Sequence, residues 1–296
     1  MALPDGVTLL LAPNPSPMTL SGTNTYIVRG SSGCAVIDPG PEIEAHLVAV
    51  AEETRRQGGA RAILITHGHP DHVAGASRLR KLTGAPIIAW SREGVLVADE
   101  TLADEALFTL GDRGLRALFT PGHRYDHLSF ALEKNGRDTG VIFAGDLVAG
   151  AGTVVIAPPE GQLRDYLASL RRVMAREPTL LAPGHGSDHA DTDALLAGYI
   201  AHREDRERQL LSALSATPTS VAELVSHIYT DTPTHLHPVA AYSTLAGLLK
   251  LEGEGRVARS ASGPDGAPAP IAEPTGLALE GVIGRPEGLD AYWRLL

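Results

Sequence analysis

The sequence predicts a mixed α/β fold, and three observations carry that expectation. Short apolar runs rich in β-branched residues recur along the chain, as in Cys34-Ala35-Val36-Ile37, Ala62-Ile63-Leu64-Ile65 and Val141-Ile142-Phe143-Ala144. Their shortness and lack of charge mark buried strands. Longer stretches with apolar residues at helical spacing lie between such runs, at Glu42 to Gln57 and Gln162 to Arg176, and a long helix is read over Asp191 to Leu214. The 32 glycines and 21 prolines suit many short strands and turns. At 296 residues and 43% hydrophobic, the chain fits one large domain or two unequal ones with a real core.

Val7 to Leu11 reads as the first strand, closed by Pro13-Asn14-Pro15-Ser16-Pro17. Thr23 to Arg29 and Cys34 to Ile37 read as a hairpin across Gly30-Ser31-Ser32-Gly33. The single cysteine, Cys34, lies in an apolar run and reads as buried; alone it excludes an internal disulfide framework and a multi-cysteine zinc site. The helix over Glu42 to Gln57 sets Ile43, His46, Leu47 and Val50 on one face, so His46 reads as a helix residue, not a ligand. Gly58-Gly59 ends that helix, and the strand Ala62 to Ile65 follows. A helix from Val73 to Leu82 is expected to start directly after His72, with its N-terminal dipole aimed at the preceding loop. Pro86 to Trp90 reads as a strand, whereas Glu93 to Leu110 alternates only weakly. Leu115 to Thr120 and Thr179 to Ala182 are further strands, with a loop at Gly150-Ala151-Gly152 between them. The helix Gln162 to Arg176 turns Leu163, Tyr166, Leu167, Leu170 and Val173 inward. Its outer face carries Arg164, Arg171, Arg172 and Arg176, either a solvated face or a patch for an anionic chain.

The strand Ala62 to Ile65 ends abruptly in Thr66-His67-Gly68-His69-Pro70-Asp71-His72. Gly68 and Pro70 cannot continue a strand, so the polar side chains sit on a loop at its end. One histidine there would be an ordinary loop residue. Three histidines and an aspartate within six positions, with no low-complexity tract around them, would be costly to bury unpaired. Imidazole and carboxylate suit zinc, iron or manganese. His67 and His69 can turn to one centre, and Asp71 and His72 to a second beside it.

This stretch resembles the His-x-His-x-Asp-His signature of the metallo-β-lactamase superfamily. The resemblance implies a four-layer αββα sandwich with a metal site at its edge. It assigns His123, in Pro121-Gly122-His123, to the first metal with His67 and His69. It assigns His185, in Pro183-Gly184-His185, to the second metal with Asp71 and His72. Asp146, at the end of the Val141 strand, falls at the bridging position, and Asp71 and Asp146 are the implied catalytic carboxylates. All seven positions are thus filled, by five of the 12 histidines and two aspartates, on four strand ends. Asp38, after the strand beneath the loop, is expected to support a ligand. His127 is expected to orient a ligand or touch substrate. Asn24, in the family's opening strand, is read as structural, with substrate contact as the alternative. Many relatives carry Thr after the ligand at His123, where this chain has Arg124.

The helix after the last ligand contains His202-Arg203-Glu204-Asp205-Arg206-Glu207-Arg208. It is similar to that of the subgroup typified by β-lactamase-like protein 2, whose members append a small winged helix. The remaining chain agrees. Ser220 can cap a helix from Val221 to Tyr229, His237-Pro238 opens one from Val239 to Leu251, and Gly253-Glu254-Gly255 turns into a wing strand, Arg256 to Ser260. His235 and His237 lack a partner at matching spacing and are not read as a metal pair. The expected domains are 1–205 catalytic, 206–260 winged-helix-like and 261–296 a Gly/Pro-rich linker and tail. Tyr292, Trp293, Leu295 and Leu296 suggest that the tail packs on the body or on a second copy, as a homodimer.

The net charge of −10 and pI near 5.6 disfavour binding by broad phosphate neutralisation. Residues 206–260 hold five basic side chains (Arg206, Arg208, Lys250, Arg256, Arg259) and five acidic ones (Glu207, Glu223, Asp231, Glu252, Glu254), which is not a nucleic-acid reader's footprint. No glycine-rich dinucleotide fingerprint supports hydride transfer. The resemblance implies a metal-dependent hydrolase with two Zn2+, or iron or manganese, sharing a hydroxide. The favoured substrate is a small ester, thioester or lactam; the alternatives are endoribonuclease action on single-stranded RNA and a non-catalytic metal-stabilised scaffold. No run approaches 18 apolar residues, and Met1 to Ser16 lacks a cationic start with an apolar middle, so no membrane partner and a cytoplasmic location are expected.

Overall fold

The computed structural model describes residues 3–260, 263, 286–289 and 291–296. The chain divides into two compact units. The first comprises 1–121, 125–154 and 169–196, and the second 122–124, 155–168 and 197–296.

In the first unit, β1 (Val7–Leu11), β2 (Asn24–Gly30), β3 (Gly33–Ile37), β4 (Ala60–Leu64), β5 (Ile87–Ala89) and β6 (Glu100–Thr101) form one sheet in that order. The pairs from β1 to β3 are antiparallel and those from β3 to β6 parallel. Side chains alternate across it. Tyr26, Val28, Ala35, Ile37, Ala62 and Leu64 enter one core. Ile27, Cys34, Val36 and Ile63 enter another, with Leu47 and Val50 of α1 (Glu44–Arg56) and Ala76 and Leu79 of α3 (Ala76–Thr83). Burial on both faces is why these strands are apolar throughout rather than alternating.

The second sheet runs β11 (Leu180–Pro183), β10 (Arg137–Gly145), β9 (Leu128–Lys134), β8 (Arg113–Phe119), β7 (Leu107–Thr109). Its Leu115, Phe130, Leu132, Phe143 and Leu180 join the core of Tyr26 and Leu64, so the two sheets pack face to face. The Tyr26 and Phe143 rings meet there, centroids 5.1 Å apart. The C-terminal half of α4 (Leu163–Met174) is tied to the end of β8, where Ser169 Oγ donates to the Pro121 carbonyl at 2.7 Å and Arg172 to the Phe119 carbonyl at 2.9 Å.

Three expectations need correction in this unit. The helix expected directly after His72 starts earlier and is broken in two. α2 (Pro70–Val73) begins at Pro70, whose fixed φ and missing N–H suit a first helical position, so Asp71 and His72 lie inside it. It stops because the Gly75 N–H donates to the Gly40 carbonyl at 2.9 Å, and α3 begins at Ala76. The stretch Glu93 to Leu110 holds two short strands, β6 and β7. A seven-residue strand, β9, occupies Leu128–Lys134, where no strand was expected.

The second unit holds most of α5 (Thr192–Ala213), then β12 (Thr219–Ser220), α6 (Val221–Ile228), α7 (His237–Gly253), β13 (Val257–Ser260) and β14 (Tyr292–Leu295). Ser220 caps α6 in a complete capping box with Glu223. The tail end, expected to pack on the body or on a second copy, packs on its own chain as the middle strand of a three-stranded sheet, β12-β14-β13. Leu210, Val221, Leu224, Leu245, Leu248 and Leu251 pack with the fully buried Trp293. The expected linker at 261–270, apart from Gly263, and the tail up to 285 lie outside the described residues. Among the described residues, no helix is long and apolar enough to cross a membrane.

Candidate metal centre

The functional side chains stand where strands stop. β4 leads into His67 and His69, with Asp71 and His72 in the first turn of α2. β8 leads to His123, β10 to Asp146 and β11 to His185. Two groups result. His67, His69, His123 and Asp146 each offer one ligand atom, all within 4.8 Å of one another, and so do Asp71, His72 and His185. Asp146 also reaches the second group. Its Oδ1 lies 3.5 Å from His72 Nε2 and its Oδ2 lies 3.5 Å from His185 Nε2, with His67 Nε2 4.0 Å away. Asp71 Oδ2 is 3.1 Å from His185 Nε2.

Ring nitrogens confront each other in pairs: His67 Nε2 and His69 Nδ1 are 2.9 Å apart, and His72 Nε2 and His185 Nε2 3.2 Å. Two imidazole ligands of one tetrahedral zinc would be separated by about 3.3 Å, given Zn–N bonds of about 2.0–2.1 Å. Four of the five rings have the opposite nitrogen engaged. Nδ1 of His72 bonds Asp38 Oδ2 at 2.8 Å, that of His67 bonds Thr66 Oγ1 at 3.0 Å, that of His185 faces the Gly22 carbonyl at 3.3 Å, and that of His123 faces the Val155 carbonyl at 2.9 Å. With Nδ1–H donating, each Nε2 keeps its lone pair for a cation, the arrangement metal-ligating histidines require. The residues therefore fit divalent metal, with an all-nitrogen-and-oxygen donor set.

The residues expected around this site are hydrogen-bonded to its side chains or to the backbone that carries them. Asp38 accepts from the Thr66 N–H (2.8 Å) and the Thr66 hydroxyl (2.7 Å) as well as facing His72, which fixes the start of the ligand loop. His127 is fully buried. Its Nε2 accepts the Asp146 N–H at 3.0 Å and its Nδ1 faces Thr120 Oγ1 at 2.9 Å. Asn24 is buried too and donates to the Pro183 and Gly186 carbonyls at 3.0 and 2.8 Å, pinning the turn that carries His185. Gly150, expected in a loop, donates its N–H to the His185 carbonyl at 2.8 Å. Asp126 was not anticipated: buried, it accepts the Gly68 N–H at 3.1 Å, between the first two histidines. Its adjacency to His127 was the available signal.

Comparison with known proteins identifies the family. A model of the metallo-beta-lactamase superfamily matches residues 18–185. The chain belongs to the metallo-β-lactamase superfamily. A model of the beta-lactamase associated winged helix domain matches residues 220–266. The beta-lactamase-like protein 2 homolog of Drosophila melanogaster is 33% identical over 88% of this chain and 92% of its own length. An atrochrysone carboxyl ACP thioesterase of Aspergillus fumigatus is 32% identical over 70% of this chain; the match spans 64% of that protein. A metallo-beta-lactamase family protein from Thermus thermophilus superposes with a TM-score of 0.72 at 25% identity, covering 88% of this chain and 97% of that one. With thioesterases among its relatives, this superfamily member is a hydrolase.

The electrostatics of this site favour positive charge at its centre. Burial pushes the Asp146 carboxyl up, but His185 and His72 outweigh it and hold it well below the ordinary range. Burial likewise acts on Asp71, where His72 and His185 win and bring it to about 2. Burial pushes His72 down, but Asp71, Asp146 and Asp38 together hold it well above its ordinary value. His185 rises to about 9 because Asp146 and Asp71 outweigh its burial. Protons held in this way take the place of a cation, and a metal bound there would release them.

Proposed function

We propose that this chain is a dinuclear metal hydrolase acting on acyl thioesters and related small esters. The observation that carries the reading is Asp146, set with one oxygen toward His72 and the other toward His185 and His67, between the two ligand groups. His67, His69 and His123 would hold one metal and Asp71, His72 and His185 the second, with Asp146 standing between the two groups. Zinc suits this donor set, with iron or manganese as alternatives. Bound there, such metals would supply Lewis acidity for an acyl carbonyl and a water acidified toward neutrality. Asp71, partly accessible beside buried partners, orients the attacking water and passes its proton on. His127 holds the Asp146 backbone and Asp38 the His72 ring, so the carboxylate and imidazole need little reorganisation as charge develops.

Two relatives are named as thioesterases, which supports an acyl substrate over a phosphodiester. Arg172 of α4 and Arg176, just beyond its end, support it too. Arg172 is paired with Asp104 at 2.9 Å and with Glu105, and Arg176 with Asp138 at 2.8 Å, so these cations are already matched by carboxylates. A protein that tracks single-stranded RNA needs a cationic groove along the backbone. The test offers purified, metal-loaded protein an acyl thioester and a single-stranded RNA oligomer, with Asp146→Ala as control. Thioester turnover with intact RNA, abolished in the variant, is the expected outcome. Metal-dependent RNA cutting that vanishes in Asp146→Ala would overturn it in favour of an endonuclease.

A further inference from the structure

The segment that seats His123 has few backbone restraints of its own. Residues 155–160 form neither helix nor strand, and Pro158 and Pro159 remove two N–H donors from it. Yet the Val155 carbonyl, at its start, accepts Nδ1–H of His123 and so sets that ring's tautomer and orientation. Something must hold the carbonyl in place. At the other end of the segment the Gln162 N–H donates to the Gly122 carbonyl at 2.8 Å. Gly161 comes close there as well: a Cβ on it would lie 2.8 Å from the His123 carbonyl oxygen and 3.1 Å from that of Gly122. Between these two points Arg124 Nη1 donates to Glu160 Oε2 at 2.8 Å, with both side chains almost wholly enclosed, at 5% and 11% exposure.

We infer that the Arg124–Glu160 ion pair is a positioning device for His123, through which the affinity of the first metal group is set. Arg124 is bonded in sequence to His123, and Glu160 lies five residues beyond Val155. The pair therefore clamps together the same two segments that the His123–Val155 hydrogen bond joins. A buried ion pair is weak evidence for stability, because desolvation offsets the Coulombic gain. Its position beside a ligand gives it a reason to be retained. Positioning of this kind typically affects metal affinity about 10–100-fold.

The inference rests on the metal reading of the seven-residue site but not on any substrate. Its test is a zinc titration against a chromophoric chelator that resolves two binding steps. The same protein's melting temperature is measured without metal. The variants are Glu160→Gln and the double substitution Arg124→Met with Glu160→Leu. The double variant removes both charges of the pair together, so its metal-free melting temperature is expected to match the parent. The expected result is one zinc step weakened about 10–100-fold and the other unchanged, with partial recovery when Glu160 is replaced by Asp in place of Gln. Two unchanged steps in the folded double variant, or two steps weakened in parallel with the melting temperature, would overturn the inference. If the parent protein binds no zinc, manganese or iron(II) at all, the metal reading itself fails, and the inference fails with it.

Discussion

At the scale of single residues, the site depends as much on what is small as on what is charged. A Cβ built on Gly184 would lie 2.6 Å from Asp146 Oδ1 and 2.7 Å from His72 Cε1, between the two side chains that meet there. Gly184→Ala is therefore expected to drive Asp146 and His72 apart and to reduce bound metal from two equivalents to one or none. Metal analysis after gel filtration checks this, and two full equivalents in the variant would refute the placement of Asp146 between the groups. His69→Ala and Asp146→Ala are expected to lose metal and turnover while keeping a parent-like circular dichroism spectrum, because neither side chain belongs to the apolar cores. Cys34 offers a test of packing. It is fully buried in β3, and burial pushes its thiol up to about 11. The thiolate is the reactive form. Alkylation at pH 8 is thus expected to be negligible in the folded protein and complete in denaturant; rapid labelling of the folded chain would contradict the burial.

At the scale of elements, the capping box on α6 makes a graded prediction. Ser220 Oγ accepts the Glu223 N–H at 3.2 Å, while Glu223 Oε2 accepts the Ser220 N–H at 2.8 Å. Ser220→Ala is expected to cost about 1 kcal/mol, read as a shift in a denaturation midpoint. The hydrogen bonds from Ser220 lower the Glu223 carboxyl below its ordinary value of 4.5. A carboxyl depressed by folding stabilises above its unfolded pKa, and that contribution fades as pH falls through the folded value. The Glu223→Gln penalty should accordingly be present at pH 7 and shrink below pH 4.5. This cap was legible in the sequence, as were β2, β3 and β4 and the His67 to His72 cluster, because each is a local pattern with its own chemistry, whereas His123, Asp146 and His185 were singled out only by the family resemblance. β9 was not. Its inner face, Leu128, Phe130 and Leu132, is apolar, but Ser129, Glu133 and Lys134 interrupt the run, and its partners β8 and β10 fix it through tertiary pairing. The break between α2 and α3 was equally hidden, since it depends on the Gly75 N–H finding the Gly40 carbonyl 35 positions earlier in the chain.

At the scale of the whole molecule, the least legible feature is how the C-terminal end completes the second unit. Tyr292–Leu295 has no periodic signal of its own and follows a Gly/Pro-rich stretch, so from sequence it reads as a tail. In the fold β14 pairs with β12 through Thr219 and Ser220, and with β13 from Val257 to Ser260. Without it those two short strands share no partner. Trp293 fills the centre of the apolar cluster, at 0% exposure, beside Leu245 and Val225. Removing so large a side chain from a core typically costs about 3–5 kcal/mol, a large part of the stability of a unit this size. Trp293→Ala is therefore expected to release the amides of β13, α6 and α7 to fast hydrogen exchange, while β3, β4 and β10 keep their protection. Truncation after residue 285 should do the same more completely. The contrast between units is the informative reading, because their cores are separate clusters, one built on Tyr26 and Phe143 and the other on Trp293. Loss of protection in β3 and β4 to the same degree would mean that the chain unfolds as one body. Unchanged protection in α6 and α7 would mean that β14 is dispensable to the module it completes.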